Sequence, residues 1–146
     1  MKTEMRALLP LIAAASLLAG ACAGLGSSTH KVIFNEGVCD NVRFLQMNVN
    51  ETNRVVLDNR KHAEGQMGMT ATLKKFPVVV QGEVPEGSTI GDKVSTIQLR
   101  AQPGEQMSVD LLPTFTGTYS ATCGTSQKQG EGGAQIRQHD IQIQIK

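Results

Sequence analysis

Apolar residues that recur at every second position are the feature that most constrains the fold of this chain. The C-terminal segment carries Ile141, Ile143 and Ile145 with glutamines between them. Residues 107–111 alternate in the same way, with Met107, Val109 and Leu111 as the apolar positions. Side chains of a β-strand point alternately to its two faces, so this pattern predicts strands with one buried face.

Shorter apolar segments precede these two, and turn residues separate them. The further strand candidates are Val32 with Phe34, Phe44 with Met47 and Val49, Val55 with Leu57, Phe76 to Val80, Val94 with Ile97 and Leu99, and Ile136. The turn signals are Glu36-Gly37, Asp58-Asn59, Pro85-Glu86-Gly87, Pro103-Gly104 and Gly130 to Gly133. Short strands at this spacing predict an all-β sandwich rather than a parallel α/β sheet. Any helix is expected between Glu64 and Lys75.

The N-terminal segment has the pattern of a secretory signal peptide. Lys2 and Arg6 give a positive start, and a largely apolar stretch follows that is too short to span a membrane comfortably. The sequence Leu18-Ala19-Gly20-Ala21-Cys22 resembles the lipobox of bacterial lipoproteins, which implies cleavage before Cys22 and acylation of its thiol. The alternative is ordinary cleavage at the same bond, which would leave Cys22 as an exposed free thiol.

We therefore expect three parts: a lipoprotein signal peptide at residues 1–21, a flexible Gly/Ser tether at residues 22–30 and one domain at residues 31–146. The lipobox resemblance implies an extracytoplasmic location, in the periplasm or on the cell surface, with a lipid anchor. Ala23 rather than Asp follows Cys22, which is similar to lipoproteins sorted to the outer membrane.

The composition argues against several classes of function. The formal net charge is +1, and the chain has no Trp, one Tyr and four Phe. It therefore lacks both a strongly basic face and a set of aromatic residues for stacking bases, so nucleic acid is not an expected partner. No nucleophile-elbow pattern with an ordered Ser/His/Asp set is present, and we expect a protein that is not an enzyme.

Two blocks of sequence carry a family resemblance. Phe44 to Val49, followed by Arg54 to His62, resembles the first half of a cupredoxin, where a strand leads into an Asn and then a copper-ligating His. Pro103-Gly104-Glu105 introduces an alternating strand, and Pro113 to Gly124 is similar to the segment that ends at the copper-ligating Cys. The resemblance implies a cupredoxin-like Greek-key β-sandwich.

The same resemblance implies a candidate copper site. Such a site needs a thiolate and two imidazoles, commonly with a weak axial Met, and His62 and Cys123 match the first His and the Cys. In the family a second His follows the Cys closely, whereas residues 125–135 of this chain contain neither His nor Met. His139 or Met67 would have to complete the set of ligands.

The cysteine count offers a competing interpretation. Acylation would use Cys22, which leaves Cys39 and Cys123 as an even pair in an oxidising compartment. A disulfide between them would exclude a thiolate at Cys123. On this interpretation, which we prefer, no cofactor is expected. The chain would be a non-catalytic binding or accessory module of the cell envelope, attached to the membrane through its lipid and acting on an unidentified envelope protein. The alternative is a copper-binding protein for periplasmic electron transfer or metal handling.

Overall fold

The computed structural model of the protein describes residues 29–62, 68–126 and 136–146. These residues form nine strands and one short helix in two packed sheets, so the prediction of an all-β sandwich is confirmed. The bounds are β1 His30–Phe34, α1 Glu36–Asn41, β2 Phe44–Met47, β3 Asn53–Asp58, β4 Gly68–Phe76, β5 Val78–Gln81, β6 Ser95–Ala101, β7 Gln106–Pro113, β8 Gly117–Ser126 and β9 Ile136–Ile145. Within the three described ranges, no helix has the length and apolar character needed to cross a membrane.

Both sheets mix parallel and antiparallel neighbours. The four-stranded sheet has the order β1-β3-β7-β5, and the five-stranded sheet has the order β2-β9-β8-β4-β6. The pairs β1–β3 and β2–β9 are parallel, and the remaining neighbours are antiparallel. The chain passes between the sheets several times, so residues distant in sequence meet in one core.

The core lies between the sheets, and the alternation that predicted strands also selects its members. In β9, Ile141, Ile143 and Ile145 are buried while the glutamines between them are exposed. The four-stranded sheet contributes Leu57 of β3 and Leu111 of β7, whose side chains are also buried in this core. Removal of this apolar surface from water is the main force that holds the two sheets together.

Any helix was expected between Glu64 and Lys75, but the helix among the described residues is α1, and the described part of that range is strand. Residues from Gly68 onward form β4, which pairs with β8 on one side and β6 on the other. Because a strand inside a sheet satisfies its backbone on both sides and buries alternate side chains, tertiary context overrides a weak local preference for helix. Residues 63–67 lie outside the described part of the chain.

One apolar run that was predicted as a single strand contributes to both sheets. Pro77 divides the run Phe76 to Val80, so that β4 ends at Phe76 and β5 begins at Val78 in the other sheet. Proline has no backbone N–H to donate to a strand ladder, which favours the change of sheet at this position.

The sandwich has two ends, which we call the top and the base. The top carries α1, the end of β3 at Asp58 and the end of β8 at Ser126. The base contains the start of β1 at His30, which lies in register with the start of β3, and the end of β7 at Pro113. The first described residues, at the start of β1, therefore lie at the base.

Candidate functional site

The helix α1 organises the top of the sandwich. Asn35 caps its first turn, because its side-chain oxygen accepts a hydrogen bond of 2.9 Å from the N–H of Val38. Glu36 lies in the first turn, where a negative charge is favourable. Sequence reasoning took Glu36-Gly37 for a turn and missed this helix. The Asn cap followed by an acidic residue was the signal that could have indicated it.

A disulfide fastens α1 to the five-stranded sheet. Cys39 of α1 is bonded to Cys123 of β8 across a Cα–Cα distance of 5.3 Å, and both side chains are buried. The preferred pairing of these two cysteines therefore agrees with the structure. In this oxidised form the sulfur of Cys123 is part of a disulfide and not a thiolate, so it is not available as a metal ligand.

The ring of His62 is held from one side by a buried amide. Its Nδ1 lies 2.6 Å from Oδ1 of Asn59, and Nδ2 of Asn59 donates to the carbonyl oxygen of Ala101 at 3.2 Å. Because the amide oxygen can only accept, this arrangement assigns the proton to Nδ1 of His62. The other nitrogen, Nε2, lies 3.5 Å from Oε2 of Glu36.

His139 makes the corresponding contact one helical turn further along α1. It lies in register with Cys123 on the neighbouring strand, and its Nε2 is 3.4 Å from Oδ1 of Asp40. Next to Cys123, Gly124 lies so close to β9 that a Cβ atom there would collide with the carbonyl group of Arg137. A glycine is therefore required for the two strands to approach each other at this point.

Three of the four proposed metal ligands thus surround α1, which presents a carboxylate to each imidazole. His62 and His139 face carboxylates, and Cys123 is oxidised. Met67 and the proposed lipidation residue Cys22 lie outside the described residues. Across the described ranges, no group of three or more His, Cys, Asp or Glu side chains is arranged to hold a metal ion.

Sequence reasoning missed the two carboxylates that face the histidines. Glu36 and Asp40 are four residues apart on α1, and this spacing puts side chains on the same side of a helix. The spacing becomes informative only once the helix is recognised, and the six-residue segment with Gly37 gives little helical pattern.

Two ion pairs lie on the exposed face of the four-stranded sheet. The Arg60 guanidinium beside Asp58, at 2.6 Å, lowers the pKa of that carboxyl from its usual 3.8 to about 2. Arg54 binds Asp110 at 2.8 Å and likewise lowers the pKa of Asp110. Both carboxylates therefore stay ionised at any physiological pH, and neither is suited to proton transfer near neutrality.

Comparisons with known proteins add little to this geometry. No family model and no curated protein matches the chain. Among solved structures, it is similar to the crystal structure of the cysteine protease inhibitor EhICP2 from Entamoeba histolytica, with 16% identity, coverage of 83% of this chain and 100% of that chain, and a TM-score of 0.42. It is also similar to the solution structure of Amebosin, with 10% identity, coverage of 81% and 98%, and a TM-score of 0.32. Both TM-scores are low, so these two likenesses carry no argument about what the chain does.

Proposed function

We propose that the chain is an exported, lipid-anchored binding or accessory module of the bacterial cell envelope. In this proposal it is a cupredoxin-like domain that has no copper site and catalyses no reaction. Cys22 would carry the lipid, the residues that precede β1 would connect it to the domain, and the partner would be another envelope protein.

The disulfide between Cys39 and Cys123 is the observation that carries this proposal. Disulfides persist in extracytoplasmic compartments and are rare in the reducing cytosol, which fits the predicted signal peptide. The same bond uses the cysteine that the cupredoxin resemblance would assign to copper. A cupredoxin-like domain with this bond keeps a rigid sandwich and loses the thiolate that copper chemistry needs.

The polar groups around α1 give further support. Each of the two histidines has a protein partner at the top of the sandwich: Glu36 with Asn59 for His62, and Asp40 for His139. Imidazoles that are held in this way stabilise the position of the helix. They present ionisable groups on a fixed scaffold, which suits recognition of a partner better than turnover of a substrate.

Copper binding remains the second candidate because His62, His139 and Cys123 converge on one helix. In this alternative the working form is reduced, with the thiolate of Cys123 and the imidazole of His62 as ligands. The copper form would then require that the disulfide be absent in the protein isolated from cells.

Intact mass measurement of the non-reduced protein, combined with metal analysis and thiol alkylation, distinguishes the two functions. We expect a mass lower by two hydrogens than that of the reduced chain, no alkylation of Cys39 or Cys123 before reduction, and no bound copper. Alkylation of both cysteines together with copper uptake, lost in both Cys123→Ser and His62→Ala, would establish the alternative instead.

The anchoring part has its own test. Metabolic labelling with a radioactive fatty acid is expected to mark the protein and to fail in Cys22→Ser. Equal labelling of the two forms would show that Cys22 is not the site of lipidation.

A further inference from the structure

Large apolar side chains are exposed at the base of the sandwich. Phe115 follows the end of β7, and the preceding Thr114 donates its N–H to the carbonyl oxygen of Pro77 at 2.8 Å. Phe115 is 66% exposed. Val79, which is paired with Leu112 one position from the end of β7, is exposed on the neighbouring strand.

A hairpin loop adds two more apolar residues at the same end. Thr89 and Thr96 exchange two backbone hydrogen bonds of 2.8 Å, which close a loop just before β6. Ile90 and Val94 lie in this loop and are 50% and 45% exposed. β6 begins at Ser95, in register with the last residue of β4, so the loop lies at the base.

The base is also the end where the chain enters the described domain. Six residues lie between Cys22 and Thr29, and the seven residue-to-residue steps that join the two span at most about 25 Å when fully extended. A lipid on Cys22 would therefore keep the start of β1 within that distance of the membrane surface. The exposed apolar side chains lie at the end of the domain that is held closest to the lipid.

We propose that the base of the sandwich docks onto the lipid surface, with Phe115, Ile90 and Val94 in contact with the acyl chains. This inference rests on the lipid anchor of the proposed function and deepens it, because it assigns the orientation of the domain. The top, with α1 and the two histidines, then points away from the membrane toward a partner.

The chemistry of the base favours apolar contact over electrostatic attraction. Asp92 and Lys93 are adjacent in the hairpin loop, so their charges oppose each other next to Ile90 and Val94. Transfer of a partly exposed apolar side chain from water to the acyl region is favourable. Each such side chain therefore strengthens membrane binding beyond that of the inserted lipid anchor alone. Lys74 and Lys75 are exposed near the end of β4 at the base. Salt is therefore expected to weaken the docking only in part, whereas it would abolish the attraction of a purely basic patch to anionic lipid.

The absence of tryptophan from the chain allows a direct test. Single variants Phe115→Trp and Ile90→Trp place one fluorophore at the base. Met107→Trp is the matched control, because Met107 is 40% exposed but lies at the top, in register with Leu57 near the end of β3. Each variant is produced with its leader, purified from host membranes and reconstituted into phosphatidylethanolamine/phosphatidylglycerol vesicles that contain lipids with brominated acyl chains.

We expect the vesicles to carry the protein upward on flotation, and bromine to quench Phe115→Trp and Ile90→Trp but not Met107→Trp. Quenching should persist in 0.5 M salt. At this concentration the Debye length is roughly 4 Å, so attraction between exposed charges that are further apart is largely screened. Flotation with equal quenching at all three positions, or with none at the base, would overturn the docking while leaving the anchor intact. A blue shift of the tryptophan emission in Phe115→Trp or Ile90→Trp without quenching would overturn the docking and indicate that the base contacts protein instead of lipid. Failure to float would overturn both the anchor and the docking.

Discussion

The top and the base of the sandwich are closed by different interactions. At the top, the disulfide between Cys39 and Cys123 and two histidine–carboxylate contacts hold α1 in place. At the base, neutral hydrogen bonds join the strands, and Asn53 makes three of them with the backbone of residues 48–51. The top therefore depends on redox state, whereas the base does not.

The largest expected effect tests the redox dependence of the top. Replacing both cysteines, in Cys39→Ala/Cys123→Ala, removes a constraint across 84 residues of chain. We expect a loss of about 4 kcal/mol in the free energy of unfolding, since the unfolded chain regains its freedom. Urea unfolding followed by circular dichroism measures this loss, and added copper should not restore it.

Reduction of the unmodified protein provides the control for that experiment. A reducing agent should lower its unfolding midpoint to that of the double variant and should leave the double variant unchanged. Equal midpoints in the presence and absence of reductant would mean that the disulfide does not stabilise the top.

The next effect concerns the base. Oδ1 of Asn53 accepts from the N–H of Asn48 at 2.9 Å, and its Nδ2 donates to the carbonyl oxygens of Asn48 and Glu51 at 2.8 Å. Because Asn53 is fully buried, Asn53→Ala leaves these backbone groups unsatisfied and should cost about 2–3 kcal/mol. The loss should be the same with and without reductant.

Asn48→Ala is the matched control for Asn53. The side chain of Asn48 makes an exposed hydrogen bond to Glu51, so its removal should cost less than about 1 kcal/mol. A similar loss in both variants would show that the buried amide has no special role in closing the base.

A smaller effect compares the two histidines of the top. His62→Ala removes one hydrogen-bond partner of the buried Asn59 side chain and should cost about 1–2 kcal/mol. His139 and Asp40 are more exposed, so His139→Ala should cost less than about 1 kcal/mol. Chemical unfolding measures both losses. Equal losses of unfolding free energy in the two variants would contradict the view that the ring of His62 is held more firmly than that of His139.

The smallest effect is a dependence of stability on acid. The pKa of Asp58 is lowered to about 2 by Arg60, and the pKa of Asp110 is lowered by Arg54. A carboxyl whose pKa is lowered by folding stabilises the protein above its unfolded pKa, about 3.9, and loses this contribution as the pH falls through the folded pKa. We expect a small decline in stability between about pH 4 and pH 2.

Removal of the carboxyl charges tests this decline. Asp58→Asn and Asp110→Asn should each flatten the acid limb of the stability profile, and high salt should do so in the unmodified protein, because both pairs are largely exposed. An unchanged acid limb in both variants would assign the decline to other groups.

The sequence predicted the strands where burial is one-sided and regular. Ile141, Ile143 and Ile145 alternate with glutamines, so their strand and its buried face could be inferred without a structure. β4 was not predicted, although Met69, Ala71 and Leu73 alternate with threonines at the positions between them. Its place as an inner strand is fixed by β6 and β8, which follow later in the sequence. Local patterns do not contain information about such partners.

The candidate site was predicted only in part for a related reason. The pairing of Cys39 with Cys123 followed from a count of cysteines and an inferred compartment, and it agrees with the structure. Glu36 and Asp40 could not be assigned to the histidines, because α1 is short and its helical form depends on a cap and a disulfide. A site built from contacts between distant elements has no signature in the spacing of its residues.

The long separation of the disulfide partners has a consequence for the order of folding. In the proposed exported protein, Cys39 would leave the export machinery 84 residues before Cys123, and its thiol would remain unpaired until β8 has crossed. During that interval Cys22 lies only 17 positions away, and closing so short a loop costs less entropy than closing the native one. In the proposed lipoprotein, acylation removes the Cys22 thiol from this competition. The lipid would then protect the correct pairing as well as attach the domain to the membrane.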